Sequence, residues 1–357
     1  MSPAAARKPL KLGFFTHVRS SSGRAEAHEE LVRLFVGAER LGFDVGFVAQ
    51  HLLAGGEEGS TPSPLISLAP VAVATERIGL GVSVVTLPVT DPVQLAEDAL
   101  TLDAISRGRL ELGLGTGNAN IDRYAAFGHD RERATALFDE NLAVLQDALA
   151  GHPLRGTGLT LPVDGTPLLH RLWRTPGSVE SARRAALTGV GALYGTATLD
   201  ARTQQRPIID AYLTQWAETG PAQAPAEVAG SLRPRLGAIR MIYPSDSYET
   251  ALAELAPFVR AGRTRLAKVN GIDPGELDDD EVLASMNVKT GSPLQTARAI
   301  RDDVALLPEA DYLIAVTNVI EDAETGFGGK RTVDVALRGL ERIAAEVAPE
   351  LGWAPKR

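Results

Sequence analysis

The chain has 357 residues, enough for one large α/β domain or two ordinary ones, and its apolar share is that of a globular protein rather than a disordered one. A net charge of −9 argues against a general nucleic-acid binder, and no apolar run approaches the ~20 residues that cross a bilayer. Cysteine is absent, which excludes disulfide frameworks and cysteine-ligated metals and fits a cytoplasmic protein.

In chain order, residues 1–9 read as a flexible tail with no signal core. Leu10 to Thr16 is a first strand that delivers His17 at its end. Ala27 to Leu41 is a helix with Leu31, Leu34, Phe35, Ala38 and Leu41 on one face, stopped by Gly42. Asp44 to Ala49 is a second strand ending at Gln50 and His51, and a helix follows from Pro64 to Thr75. The stretch from Arg77 to Asn118 is the clearest unit. Ile78 to Leu87 is valine-rich, as expected of a parallel strand covered on both faces. Asp91 caps a helix with Pro92 at its first position, Arg107 lies in its last turn and Gly108 just beyond. Arg109 to Gly115 resumes as a fourth strand and runs into the glycine-rich Gly113-Leu-Gly-Thr-Gly.

Asn118 to Asp130 reads as a loop containing Tyr124, and Arg131 to Ala150 as a helix. Gly151 to Thr166 is an insertion with a possible hairpin. Pro167 to Trp173 is the fifth strand, followed by a helix capped at Ser178, where Ser181 replaces a capping-box glutamate and leaves the cap partial. Val190 to Gly195, Arg235 to Tyr243 and Asp311 to Thr317 complete eight strands, with helices at Thr203–Glu218, Ser247–Ala261, Pro293–Leu307 and Thr332–Val347. Gly262 to Gly291 shows no clear period, and a loop of that length inside a domain is expected to be a lid. No linker divides the chain. Residues 1–357 therefore read as one (β/α)8 TIM barrel with insertions in the loops at the C-terminal face.

In such a barrel the chemistry sits at the carboxyl ends of the strands. Those ends carry Thr16 and His17, then Gln50 and His51, then Ser83, Val84 and Thr86. They continue with Gly115, Thr116, Gly117 and Asn118, then Gly177, Ser178 and Val179, then Thr317 and Asn318. Small and hydroxylic residues with two histidines suit a planar, phosphate-bearing ligand, and the helix N-terminus at Ser178 offers free N–H groups to an anion. Each residue also has a plainer reading. The glycines suit a tight turn, Ser178 is a helix cap, Gln50 can satisfy a neighbouring backbone group, and His51 alone is compatible with a structural role. The glycine motif is not the dinucleotide fingerprint, because Asn118 stands at its third glycine position. No metal-ligand spacing, hydrolase elbow or P-loop is present.

Taken together, Lys11-Leu-Gly-Phe-Phe, Gln50-His51, Pro62-Ser-Pro, Ala74-Thr-Glu-Arg-Ile-Gly-Leu-Gly-Val, Leu87-Pro-Val-Thr-Asp-Pro, Ala96-Glu-Asp-Ala-Leu-Thr-Leu-Asp and Gly108-Arg-Leu-Glu-Leu-Gly-Leu-Gly resemble the bacterial luciferase-like flavin-dependent monooxygenases. The match is dense over the first 150 residues. Beyond that it rests on Gly177-Ser-Val-Glu-Ser and overall rhythm. The resemblance implies a homodimeric barrel that binds reduced FMN, supplied by a separate flavin reductase, and forms a C4a-peroxide with oxygen to oxygenate a small-molecule substrate. It assigns His51, with Gln50 beside it, to proton transfer near the flavin. It puts a non-proline cis peptide at Ser83–Val84 under the isoalloxazine ring and the phosphate at Ser178–Val179. The candidate cofactor-binding set is Ser83, Val84, Thr86, Thr116, Gly117, Asn118, Tyr124, Gly177, Ser178 and Val179.

Two positions depart from the family pattern. Gln50 stands where many members have glutamate, which removes an ionisable group. Thr116 stands where many have arginine, so phosphate neutralisation falls to another cation, such as Arg123 or Lys268. Both departures favour a loosely bound flavin. A deazaflavin-dependent oxidoreductase on the same fold and a non-catalytic flavin-binding protein are the alternative readings.

Overall fold

Each barrel strand is a short, nearly unbroken apolar run, the pattern of a parallel sheet buried on both faces. In the computed structural model, residues 10–19, 24–53, 59, 61–195, 200–306, 309–320 and 333–355 are described. The strands are β1 (Lys11–Thr16), β2 (Val45–Val48), β3 (Gly79–Thr86), β4 (Leu110–Gly115), β5 (Leu172–Arg174), β6 (Gly191–Tyr194), β7 (Leu236–Pro244), β8 (Val288–Gly291) and β9 (Tyr312–Val316). All pair in parallel, and β1 to β7 close through β9 back to β1. That closed ring of eight strands with surrounding helices is a (β/α)8 barrel. The β8 strand is an addition. Among the described residues it pairs only with the far half of β7, Met241 against Val288 through Pro244 against Gly291.

The helices are α1 (Arg24–Arg40), α2 (Pro64–Ala74), α3 (Pro92–Ile105), α4 (Ala134–Leu149), the short α5 (Thr166–Leu169), α6 (Val179–Leu187), α7 (Arg206–Thr219), the short α8 (Ala226–Ala229), α9 (Tyr248–Asn270), α10 (Asp279–Ser285), α11 (Pro293–Arg301) and α12 (Val333–Arg342). Asp91 caps α3 as expected, its Oδ1 accepting from the amides of Val93 at 2.9 Å and Gln94 at 3.0 Å. The helix stops at Ile105, so Arg107 lies outside it, with a positive φ of 57°.

Four expectations are corrected. The fifth strand is not Pro167–Trp173. That stretch begins as α5, and the strand runs to Arg174. Residues 151–166 hold a 3-10 turn at Leu154–Gly156 and no hairpin. The loop at 118–130 is largely a 3-10 helix, Asn118–Phe127. Residues 262–291 are not a long loop. The helix α9 runs through Gly262, whose missing side chain leaves room for Met286, its Sδ 2.5 Å from where a Cβ would stand. The acidic run that follows is a capping box. Asp278 Oδ1 accepts the Glu281 N–H at 2.8 Å, and Glu281 Oε2 accepts the Asp278 N–H at 2.9 Å. The expected tail, 1–9, lies outside the described residues.

The barrel interior is filled, not open. Val45, Phe47, Trp173, Leu193, Ile239, Tyr312, Ile314 and Val316 form one inner cluster. Polar groups seal the amino-terminal end. Glu111 accepts from Trp173 Nε1 at 2.6 Å and from the Tyr312 hydroxyl at 2.9 Å, while Lys11 Nζ donates to that hydroxyl at 2.7 Å. The Arg235 guanidinium lies 4.6 Å from the Trp173 ring centroid. Burial, reinforced by Glu111, pushes the Tyr312 hydroxyl well above its ordinary range and keeps it a neutral donor. Among the described residues this end is filled, and the candidate site residues lie at the opposite rim.

Candidate functional site

At that opposite rim, hydrogen bonds tie the end of β2 to the segment at 61–62 and, through the Gln50 side chain, to the end of β3. Thr61 Oγ1 donates to Ala49 O at 2.5 Å, and the His51 N–H donates to Thr61 O at 3.0 Å. Gln50 Oε1 accepts the Thr86 N–H at 2.7 Å, and its Nε2 donates to Pro62 O at 3.2 Å. A side-chain amide can do both, whereas a carboxylate can only accept. These two bonds give a physical reason for glutamine at position 50.

His51 is only 8% exposed, and its Nε2 lies 2.8 Å from His17 Nδ1. At that separation one ring donates and the other accepts, so each imidazole fixes its partner's proton. The His17 ring stands edge-on to Phe15, with centroids 4.9 Å apart. Gly59 closes over the pair, since a Cβ there would come within 2.4 Å of His51 Cδ2. The two histidines, 34 positions apart in sequence, thus form one unit at the ends of neighbouring strands.

Next along the rim, β3 breaks register with β4 between Val82 and Val85, and the Ser83–Val84 peptide bond is cis, as the resemblance implied. Three glycines make room for this irregular strand. A Cβ on Gly113 would stand 2.2 Å from the carbonyl oxygen of Val82, one on Gly115 2.6 Å from Val84 Cγ2, and one on Gly117 2.5 Å from the Thr86 side chain. The glycine motif therefore lets strand approach strand. Gly113→Ala is expected to destabilise the protein by about 1–3 kcal/mol, because its neighbour there is backbone that cannot turn aside. Chemical denaturation measures this, and an unchanged midpoint would show that β3 moves freely.

The third part of the rim is a cleft of about 310 Å³ lined by Thr116, Arg174, Thr175, Gly177, Ser178 and Arg184, among others. Here α6 begins with a complete capping box, not the partial one expected. Ser178 Oγ accepts the Ser181 N–H at 3.2 Å, and the Ser178 N–H donates to Ser181 Oγ at 3.1 Å. The next amides, of Val179 and Glu180, have no intrahelical acceptor and carry the positive end of the helix dipole.

Arg174, the last residue of β5, reaches the same cleft. It is 4% exposed, and its Nη1 is buried with no hydrogen-bond partner. Its guanidinium lies 4.1 Å from the Phe138 ring centroid, and Nη1 is 3.5 Å from Asp139 Oδ1, beyond a good hydrogen bond. Burial pushes the guanidinium pKa down to about 10, although Asp139 opposes the shift, so it stays charged at neutral pH. Asp139 also binds Arg184, which in turn holds Glu180.

The family model for luciferase-like monooxygenases matches residues 10–309, across all three parts of this rim. The chain belongs to that family. Its members are flavin-dependent oxidoreductases, and the likeness extends to individual relatives. The uncharacterized protein y4wF of Sinorhizobium fredii (strain NBRC 101917 / NGR234) is 30% identical over 258 residues, spanning 70% of this chain and 71% of that one. The oxygenating constituent of 3,6-diketocamphane monooxygenase from Pseudomonas putida, in complex with FMN, superposes with a TM-score of 0.69 at 19% identity, covering 96% of this chain and 99% of that one. The coenzyme F420 dependent tetrahydromethanopterin reductase of Methanopyrus kandleri gives 0.66 at 15%, with 96% and 99% covered. At these identities the superpositions establish the fold alone.

In this luciferase-like monooxygenase the predicted site residues fall into distinct groups. Gln50, His51, Ser83, Val84, Thr116, Gly117, Gly177, Ser178 and Val179 all sit at the carboxyl ends of β2 to β5. Thr86 is fully buried under Gly117, and Tyr124 is 1% exposed with its hydroxyl donating to Thr116 O. Both side chains are buried and brace the rim from beneath. The side chain of Asn118 lies outside the described residues. Neither Arg123 nor Lys268 lines the cleft. Its buried cation is Arg174, which the sequence reading missed by ending the fifth strand one residue early. The signal was there: an arginine directly before Thr175-Pro-Gly-Ser is the last strand residue ahead of a helix cap. Among the described residues no group of three His, Asp or Glu is placed to hold a metal, and no helix is long and apolar enough to cross a membrane.

Proposed function

We propose that this chain binds reduced FMN, delivered by a separate flavin reductase, and uses it with oxygen to insert one oxygen atom into a small organic substrate. The observation that carries this reading is the buried Arg174 nitrogen without a hydrogen bond, beside the free amides of α6 and on the same rim as the His17–His51 pair. Three strand spacings, about 14 Å around the ring, separate the ends of β2 and β5. A phosphate at the arginine and an aromatic ring at the histidines is an arrangement this supports.

When bound, reduced flavin supplies the electrons that activate oxygen. The protein residues then have separate tasks. Arg174 and the amides of Val179 and Glu180 hold the phosphate and so fix the ring's position. The half-buried Ser83 and Val84 form the floor beneath it. His51, held by His17, accepts or returns one proton at the reacting face, and its burial limits water there. Coupled assay with a flavin reductase, NADH and labelled oxygen, across aldehydes, sulfonates and alkanes, tests the reading. Labelled product formed only with the reductase is expected. Rapid NAD(P)H oxidation by the chain alone, or turnover with reduced F420 and none with reduced FMN, would replace it.

We also propose a homodimer. The helix α2 is apolar except for the buried Ser67, and it exposes Ile66 (75%) and Val73 (79%) on one side. Such a ridge on an otherwise acidic protein suits a second copy of itself. Ile66→Glu with Val73→Glu is expected to halve the mass seen by light scattering and leave the fold intact. A wild-type chain already monomeric at micromolar concentration would contradict the dimer.

A further inference from the structure

The cleft at α6 is an ion group that balances internally. Arg174 and Arg184 bring two positive charges, and Asp139 and Glu180 two negative ones. The members are unequal. Arg184 and Glu180 are one turn apart on α6 and partly in solvent, the setting in which an ion pair is worth little. Arg174 is 5% exposed in its side chain, with a nitrogen that finds no hydrogen bond. Asp139 sits between the two arginines on α4, touching Arg184 and holding Arg174 only at 3.5 Å. A carboxylate there offers the same chemistry as a phosphate oxygen, but from a poor distance.

We propose that Asp139 is a built-in competitor for the flavin phosphate, so that the cleft holds a phosphate monoester through Arg174 only as far as Asp139 yields it. This rests on the reading of the rim as a flavin site and sets how firmly that flavin is held. A bound dianion hydrogen-bonds the orphaned nitrogen and the α6 amides, and it meets the negative charge of Asp139 across a few ångströms. The first effect favours binding and the second opposes it, so flavin is held well enough to position and loosely enough to exchange with a reductase.

The test is equilibrium binding, measured anaerobically for reduced FMN and for reduced riboflavin, and by calorimetry for inorganic phosphate. Asp139→Asn is expected to tighten FMN and phosphate roughly tenfold by removing one nearby like charge, and to leave riboflavin unchanged. Arg174→Met is expected to weaken FMN and phosphate about 10- to 100-fold, again without effect on riboflavin, and Arg174→Lys to recover part of the loss. An FMN-to-riboflavin ratio unaltered by Asp139→Asn, or by a folded Arg174→Met, overturns the inference while leaving flavin binding in place. Phosphate binding that follows the expected order when neither flavin binds keeps the inference about the cleft and removes the flavin reading. No binding of any phosphate to wild type or Asp139→Asn ends both. Because Asp139 is partly exposed, its variant keeps the test decisive even if Arg174→Met fails to fold.

Discussion

Replacing His51 by alanine is expected to lower the rate of oxygenated-product formation by about a hundredfold or more, the usual contribution of a positioned proton donor or acceptor. Reduced-flavin affinity should change little, because the cleft proposed for the phosphate lies at the end of β5, away from His51. The expectation follows from three contacts. His51 is almost fully buried at the end of β2, its Nε2 is 2.8 Å from His17 Nδ1, and Gly59 covers its ring. Stopped-flow turnover at fixed reduced-flavin concentration measures the effect, with thermal unfolding as the control for the cavity left by the ring. Turnover unchanged in a folded variant would make His51 a packing residue and the pair with His17 a structural hydrogen bond.

Asp303→Ala is expected to destabilise the fold by about 3–5 kcal/mol, the cost of stranding buried positive charge. Arg240 on β7 and Asp303 have fully buried side chains, joined by Arg240 Nε to Oδ2 at 2.8 Å. Lys289 of β8 reaches the same oxygen at 2.8 Å, and Gln205 Oε1 accepts from Arg240 Nη2 at 2.9 Å. The cluster pins the added strand β8 to the barrel. Burial alone would raise the Asp303 carboxyl, but Arg240 and then Lys289 outweigh it and hold the group at about 2, below its ordinary 3.8. A carboxylate depressed on folding contributes stability that is fully present above its unfolded value and is lost as the pH falls through the folded one. This contribution therefore disappears between about pH 4 and pH 2 in wild type and is missing at every pH in the variant. Denaturant titrations at pH 7 and pH 3 read both effects. A loss at pH 7 below about 1 kcal/mol would mean that water or a rearranged Gln205 already serves Arg240.

The barrel was legible because its strands are local events. Segments such as Gly79–Thr86 and Leu236–Pro244 are mostly apolar, the latter interrupted by Arg240, and Asp91-Pro92 announces a helix start whatever surrounds it. The order Gln50-His51 then Gly177-Ser178 located the rim by the same logic, because a strand's last residues go where the strand points. What escaped depends on contacts far apart in sequence. Gly262 reads as a helix stop, yet it is a notch for Met286. The aspartates at 278–280 fell in the stretch read as a long loop, yet Asp278 caps α10. That the glycines of β4 also make room for the irregular β3 could not be read from the motif. Arg174 is the instructive miss. A one-residue error at a strand end moved the cleft's buried cation out of view, and the phosphate charge was sought on loops instead. The burial of the Thr86 and Tyr124 side chains beneath the rim was likewise not readable, because strand periodicity does not carry it where β3 breaks register.

A crystal structure of the chain soaked with FMN tests the central claim most directly. The expected map has the phosphate within hydrogen-bond distance of Arg174 and the amides at 178–180, and the ring over Ser83–Val84 with one edge toward His51. A flavin bound away from the β2–β5 rim, or one whose phosphate lies at the histidines and leaves Arg174 as it is, would contradict it.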